Sequence, residues 1–463
     1  MSATDVARAT GGRITRGDAA AAIGRVSIDS RALQPGDLFV AIRGERFDGH
    51  RYVSDALKGG AIGAMVHEVP ALEAGTGQPA LLIEVEDTTR ALQALAREVR
   101  RRSGAKVVAI TGSAGKTTTK EIAAALLSAR FNVFKNRGNL NNHIGLPLSL
   151  LELRARPDIA VVELGMNHPG EIRTLIDAAK PEVRVWTNVG DAHLGFFESA
   201  DAIADAKAEI LEQARETDVL IANANDPRIV QRVRGFAGHV MTFGIDTDAD
   251  LRATAVHHRG LDGVEADVTT SAGSGRLRTP LLGMGNLSNV LAAMAVGTQF
   301  GVPLQDMLEQ VRRLAPASHR GELLRLPGGV TLIDDSYNSS PAALRQSLET
   351  VSSAIGSARK VAVLGEMLEL GAHAERLHRE CGRVAAASGL DLLITVGGNP
   401  AAVLSQEAVS AGMPDRCVSH VATKEEAADA AIRQVRPGDL VLVKGSRGIG
   451  TDLVVERLKG EFA

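Results

Sequence analysis

The stretch KVVAITGSAGKTTTKEIAAALL, Lys106–Leu127, decides how the rest of the chain is read. Val107 to Ile110 is a short apolar run that reads as a buried strand, and Lys116 to Leu127 reads as an Ala- and Leu-rich helix. Thr111 to Gly115 is therefore the turn between them. Gly112 and Gly115 let the backbone curl so that successive N–H groups face inward at a helix N-terminus, where the helix dipole favours an anion. Such a bend is a phosphate cradle. Lys116 reaches the β- and γ-phosphates, and the Thr117 hydroxyl faces a Mg2+ ion. The general pattern carries a further glycine at the position occupied here by Ile110, so the bend is a variant that lacks the first glycine. A strand-to-helix turn that binds nothing is the alternative, but packing alone does not explain Gly-Lys-Thr-Thr at this junction.

Around this bend, residues 87–314 read as an α/β domain with a mostly parallel sheet. Its further strands are Ile159 to Leu164, Val183 to Thr187 and Val219 to Ala222, each an apolar run followed by a helical or loop stretch. Ligands of such sheets lie beyond the carboxyl ends of the strands, which singles out Glu163 and His193. A carboxylate ending an apolar strand is costly unless it meets a cation or donors, so Glu163 suits a Mg2+ ligand; capping a helix is the other reading. His193 reads equally as a metal ligand or a hydrogen-bonded loop histidine. Lys207 lies among Asp201, Asp205 and Glu209 on a helix, where by itself it reads as a solvated lysine paired with those acids. It joins a metal site only if neutralised or carbamylated. Asn286 and Asn289 share one helix face and could read an adenine edge, with helix capping by Asn286 as the contender.

Residues 1–86 carry strand-like runs at Val26 to Ser30, Asp37 to Ile42, Gly63 to His67 and Leu81 to Val85, with turns at Pro35-Gly36 and Asp48-Gly49. Ser30-Arg31 follows the first run, where the guanidinium could fork onto a diphosphate or carboxylate or simply lie on the surface. Residues 315–463 form a second, smaller α/β unit with strands at Val330 to Asp334, Lys360 to Leu364, Leu392 to Val396 and Leu440 to Val443. Ala315 to Leu324 is the expected hinge. The fold class is thus α/β in three domains.

Composition narrows the partners. At 463 residues the chain suits two to four domains. Its net charge of −3 argues against a nucleic-acid footprint. Aromatic residues are only 3%, so cores must be built from Ala, Val, Leu and Ile. Cys381 and Cys417 lack metal-binding spacing and read as inert thiols of a reducing cytoplasm. No apolar run approaches the roughly 18–20 residues of a membrane span.

Taken in order, the motifs resemble those of the Mur ligases, the ATP-dependent amide-forming enzymes of peptidoglycan precursor synthesis. The stretches that carry this resemblance are ITGSAGKTTTK at Ile110–Lys120, Ser30–His50, GNLNNHIGLPLSLL at Gly138–Leu151, ELGMNHPGEI at Glu163–Ile172, DDSYNSSP at Asp334–Pro341, LGEMLELG at Leu364–Gly371 and VKGSRG at Val443–Gly448. The resemblance implies a UDP-binding N-terminal domain (1–86), a central ATP-binding domain (87–314) and a Rossmann-like C-terminal domain (315–463). It implies ATP and two Mg2+ ions, one held by Thr117 and Glu163 and the other by His193 and a carbamylated Lys207, with Lys116, His193 and Lys207 as the catalytic set. It also implies that Gly112, Ser113, Ala114, Gly115, Lys116, Thr117 and Thr118 hold the ATP phosphates, that Asn286, Asn289, Arg320 and Asp335 contact ATP, and that Ser30, Arg31, Asn141, Asn142, Tyr337 and Asn338 contact the other substrates. Those substrates would be a UDP-N-acetylmuramoyl-tripeptide and D-alanyl-D-alanine, handled by a cytoplasmic monomer. The relative that adds the third amino acid carries an Asp-Asn-Pro-Arg loop, and LGEMLELG stands in that region here. That third-amino-acid ligase, a folylpolyglutamate synthase-like ligase and a P-loop regulatory protein are the alternatives.

Overall fold

A computed structural model describes residues 1–44, 47–69, 80–191 and 194–463. Within them the chain forms three sheets with helices between the strands. The first holds β1 (Arg13–Arg16), β2 (Val26–Ser27), β3 (Leu38–Val40), β4 (Gly63–Val66) and β5 (Leu81–Glu84) in the order β1-β5-β4-β3-β2. Only the β1–β5 pair is antiparallel. The expected strand at Val26 to Ser30 is cut short because Ser27 Oγ accepts the Asp29 N–H at 3.1 Å and turns the chain.

The second sheet holds β6 (Lys106–Thr111), β7 (Val133–Lys135), β8 (Ile159–Glu163), β9 (Val183–Trp186), β10 (Val219–Asn223), β11 (His239–Ile245), β12 (Leu251–His258), β13 (Val264–Thr270) and β14 (Gly273–Thr279). Its order is β14-β13-β12-β11-β10-β9-β6-β8-β7. The β9–β10, β10–β11 and β11–β12 pairs are parallel, whereas β12, β13 and β14 form an antiparallel extension that the strand reading above did not contain. The third sheet holds β15 (Glu322–Arg325), β16 (Thr331–Asp335), β17 (Lys360–Gly365), β18 (Leu392–Val396), β19 (Val418–Val421) and β20 (Leu440–Lys444) in the order β15-β16-β20-β17-β18-β19. All of its pairs are parallel except β15–β16.

By packing, the chain separates into two compact units. One comprises Met1–Ala109, Phe131–Met166 and Gly170–Glu182, and the other Ile110–Arg130, Asn167–Pro169 and Val183–Ala463. The cores follow from composition. Val107, Val108, Ala109 and Ile110 are each 0% exposed, and burying a Val or Ile side chain contributes about 1.5–3 kcal/mol. That anchors the strand whose end presents the glycine bend.

Candidate active site

The bend is shaped by what lies behind it. At Gly112 (φ +154°) a Cβ would sit 1.9 Å from Thr187 Oγ1, and at Gly115 (φ +78°) it would sit 2.1 Å from Asn289 Oδ1. Any side chain there would push the loop off its support. The residues just after β9 provide that support. Ala114 N–H donates to Asn188 Oδ1 at 2.8 Å, and the Ala114 carbonyl accepts from Asn188 Nδ2 at 3.0 Å and from Thr187 Oγ1 at 2.9 Å. Ser113 N–H donates to the Asn188 carbonyl at 3.1 Å, and Ser113 Oγ accepts the Gly190 N–H at 2.9 Å. Thr187 and Asn188 were not singled out from the sequence; their position directly after an apolar strand beside the bend was the available signal.

The helix Lys116–Leu127 starts at Gly115 with no side chain capping it. An anion placed there meets backbone donors and the positive end of the helix dipole. Lys116 Nζ donates to the Gly112 carbonyl at 2.8 Å and so lies folded over the bend.

Lys207 corrects the solvated-lysine reading. It is 1% exposed in the helix Ala200–Ala208, while Asp201 and Asp205 pair with Arg232 at 3.4 and 2.8 Å. Burial holds the Lys207 ammonium well below its ordinary pKa, and the nearby positive charge of Lys116 lowers it further. A buried, readily neutralised amine is a nucleophile, and this is the state that adds CO2. His193 lies outside the described residues.

Asn286 does not cap its helix. The cap position of Gly283–Gln299 is Leu282, and Asn286 Nδ2 donates to the Leu282 carbonyl at 2.9 Å from inside the first turn. Asn289 Nδ2 donates to Asn286 Oδ1 at 3.3 Å, and Thr119 Oγ1 donates to Asn289 Oδ1 at 3.3 Å. Asn289 therefore braces the bend and its helix.

At the expected hinge, Arg320 Nη2 donates to Thr117 Oγ1 at 3.3 Å. Its guanidinium lies 4.2 Å from the centre of the Tyr337 ring, and that of Arg447 lies 5.1 Å from the same ring. His319, in the left-handed region at φ +60°, sets this turn. Its ring pairs with Asp334 at 2.7 Å, and its carbonyl accepts the Tyr337 N–H at 3.1 Å. Asp335 takes Lys444 Nζ at 2.6 Å and Ser347 Oγ at 2.8 Å. Asn338 Oδ1 accepts the Ser339 N–H at 2.9 Å. The carboxyl ends of β16 and β20 are thus joined by an ion pair.

In the other unit, Glu163 ends β8 and is 3% exposed. Asn141 Nδ2 donates to its Oε1 at 2.7 Å. Asn142 Oδ1 instead accepts the Ile144 and Gly145 N–H groups at 3.2 and 2.7 Å, turning the chain into the helix Gly145–Leu151. Arg31 forks onto Asp29 with both contacts at 2.9 Å, which brings the Asp29 carboxyl down to about 2. Ser30, between them, is half-buried.

Comparison with known proteins adds to this geometry. The Mur ligase middle domain matches residues 110–297, the Mur ligase glutamate ligase domain residues 319–447, and the Mur ligase family catalytic domain residues 22–100. The chain belongs to the Mur ligase family. Within that family it is 34% identical over 440 residues to the UDP-N-acetylmuramoyl-tripeptide--D-alanyl-D-alanine ligase of Bacillus subtilis, covering 94% of this chain and 92% of that one. A crystal structure of MurF from Acinetobacter baumannii matches with a TM-score of 0.90 at 31% identity, covering 99% and 98% of the two chains. MurF ligase from Thermotoga maritima in complex with ADP matches with a TM-score of 0.83 at 29% identity, covering 95% and 97%.

Proposed function

We propose that this chain couples D-alanyl-D-alanine to UDP-N-acetylmuramoyl-tripeptide at the expense of ATP, the last cytoplasmic step in building the UDP-muramoyl-pentapeptide. The observation that carries the reading is the braced glycine bend with Lys116 folded over it, in a chain whose relatives named for this reaction match nearly its full length. Residues 1–86 bind the UDP end of the substrate, 87–314 bind ATP, and 315–463 receive the dipeptide. The enzyme acts as a monomer in the cytoplasm.

A carboxylate is a poor electrophile in water, so it is first activated. The tripeptide's terminal carboxylate oxygen attacks the γ-phosphorus of ATP, the bond to the β-phosphate oxygen breaks, and an acyl phosphate and ADP result. The dipeptide amine then attacks the acyl carbon, phosphate departs, and the amine loses a proton. Lys116 stabilises the charge that moves across the phosphoryl oxygens. Arg320, held on the Tyr337 ring, adds positive charge beside Thr117. Asn286, Asn289 and Asp335 line the nucleotide's base and ribose end, and Ser30, Arg31, Asn142, Tyr337 and Asn338 contact the other substrates.

The donor set suits Mg2+, which takes oxygen ligands and neutralises phosphate charge. By the family resemblance, Thr117 would offer a hydroxyl and Glu163 a carboxylate to one such ion. Lys207 as an ammonium does not fit such a site. Its buried, readily deprotonated amine would fit once CO2 has been added, when its carbamate oxygens would be available to the second ion that the family resemblance also assigns to His193.

The deciding experiment is phosphate release with ATP, UDP-muramoyl-tripeptide and D-alanyl-D-alanine, leaving out one component at a time. Release that needs all three is the expected result. Nucleotide binding without such release would instead identify a regulatory P-loop protein. Turnover with folates in place of the muramoyl peptide would identify a folylpolyglutamate synthase-like ligase.

A further inference from the structure

Two asparagines fix both the backbone and the carboxylate of Glu163. Strand β7 ends at Lys135, which pairs with Val161 of β8. One residue further on, the Asn136 side chain takes the place of a strand: its Oδ1 accepts the Glu163 N–H at 3.0 Å, and its Nδ2 donates to the Leu140 carbonyl at 3.0 Å. Asn136 is 1% exposed, so this carboxamide is a built part of the interior. Asn141, at the other end of the same loop, donates from Nδ2 to Glu163 Oε1 at 2.7 Å. Its carbonyl accepts the Gly165 N–H at 2.9 Å. A Cβ on residue 165 would lie 2.8 Å from the Asn141 carboxamide, so glycine there is what admits this close approach.

We propose that Asn141 and Asn136 are positioning residues for metal binding, holding the Glu163 carboxylate in one orientation before the ion arrives. The proposal rests on Glu163 being a metal ligand, as argued above. It moves Asn141 from the substrate-contacting set, where the family resemblance put it, to the support of the metal site. The physical reason is preorganisation. A donor fixed on Oε1 selects one rotamer of the carboxylate, and the Asn136 bond stops the strand end from shifting the Cα on which that rotamer is built. Without them the ordering must be supplied at the moment of binding.

The probe is Mn2+, titrated against the protein with ADP present and followed by the electron paramagnetic resonance of the free ion. Asn141→Leu keeps the side-chain volume and removes the donor; Asn136→Ala removes the strand-end acceptor. Both variants should bind Mn2+ about 10- to 100-fold more weakly, the scale seen when a ligand loses its outer partner. In Asn141→Leu the thermal midpoint and the affinity for the UDP-tripeptide should stay at the parent values, whereas Asn136→Ala strips two interior hydrogen bonds and should melt lower. If Asn136→Ala does not fold, Asn141→Leu decides alone. Glu163→Gln is run in parallel to separate two failures. Unchanged Mn2+ affinity in Glu163→Gln overturns the metal-ligand reading and the proposal with it. A weakened Glu163→Gln beside an unchanged Asn141→Leu overturns the positioning role alone. Loss of UDP-tripeptide binding with Mn2+ binding intact returns Asn141 to the substrate-contacting set and also overturns it.

Discussion

Lys116 and Lys207 show how differently two lysines in one site can be used. Lys116 is half-buried and donates from Nζ to the Gly112 carbonyl of its own loop, on the side of the bend where a phosphate would meet the backbone N–H groups. Lys116→Ala should lower turnover by at least about 100-fold, the cost of removing one preorganised electrostatic group, with an unchanged thermal midpoint. Steady-state phosphate release beside a melting curve checks both halves. Lys207 is buried with its pKa pressed well below the ordinary lysine value, chiefly by desolvation. The unfolded chain then holds one more proton than the folded chain across the interval from the folded pKa up to about 10.5. Stability from this site therefore rises with pH, and the buried amine is a growing liability as pH falls through that interval. Lys207→Met in CO2-free buffer should raise the thermal midpoint more at pH 7 than at pH 9.5. A shift of equal size at both would mean that the side chain is not buried as an amine. Activity of the parent protein should fall in CO2-depleted buffer and return with bicarbonate, and Lys207→Ala should be partly rescued by short carboxylates. The sequence could not reveal this burial, because Asp201, Asp205 and Glu209 surround Lys207 along the helix. The structure turns the two aspartates toward Arg232 instead.

Strands with continuous apolar runs were legible, and strands with weaker patterning were not. β8, β9, β10, β18 and β20 lie within a residue or so of where the apolar runs place them, because a buried parallel strand is apolar on both faces. The antiparallel extension lies outside the apolar runs because its strands are half polar. Val264, Ala266, Val268 and Thr270 of β13 are buried while Asp267 and Thr269 are exposed, an alternation of period two that a strand template would have matched. The helix after the bend was legible to the residue and the strand before it to within one, but the brace of the bend was not. Asn188 belongs to a loop more than seventy positions away from Ala114, and no local rule links them. Asn188→Ala removes two hydrogen bonds to Ala114. At about 0.5–1.5 kcal/mol each, their loss should raise the KM for ATP by about tenfold while kcat changes less. An unchanged KM would mean that the loop holds its shape without this brace.

At the scale of the molecule, Arg320 links the start of the helix after the glycine bend to the turn that precedes the third sheet. Arg320 follows His319, whose left-handed turn is fixed by Asp334 at the end of β16, and reaches Thr117 at the start of the phosphate-loop helix. The Tyr337 ring supports that guanidinium on one side and meets Arg447 from the loop after β20 as well. A ligand that orders the Gly112–Thr118 bend should therefore also order the Ser336–Ser339 segment, because both are bonded to the same turn. Hydrogen exchange followed by mass spectrometry, with and without ADP and Mg2+, reads this directly. Both segments should gain protection in the parent protein. In Arg320→Ala the bend should still be protected while Ser336–Ser339 exchanges as fast as without nucleotide. Equal protection of both segments in that variant would mean that the coupling runs through the packed helices behind the sheet rather than through Arg320. The distinction bears on catalysis, since the acyl phosphate must be kept from water until the dipeptide amine reaches it. The turn that carries Arg320 is bonded to Thr117 on one side and to Asp334 and Tyr337 on the other, so protection that spreads from the bend to Ser336–Ser339 is the expected sign of such closure.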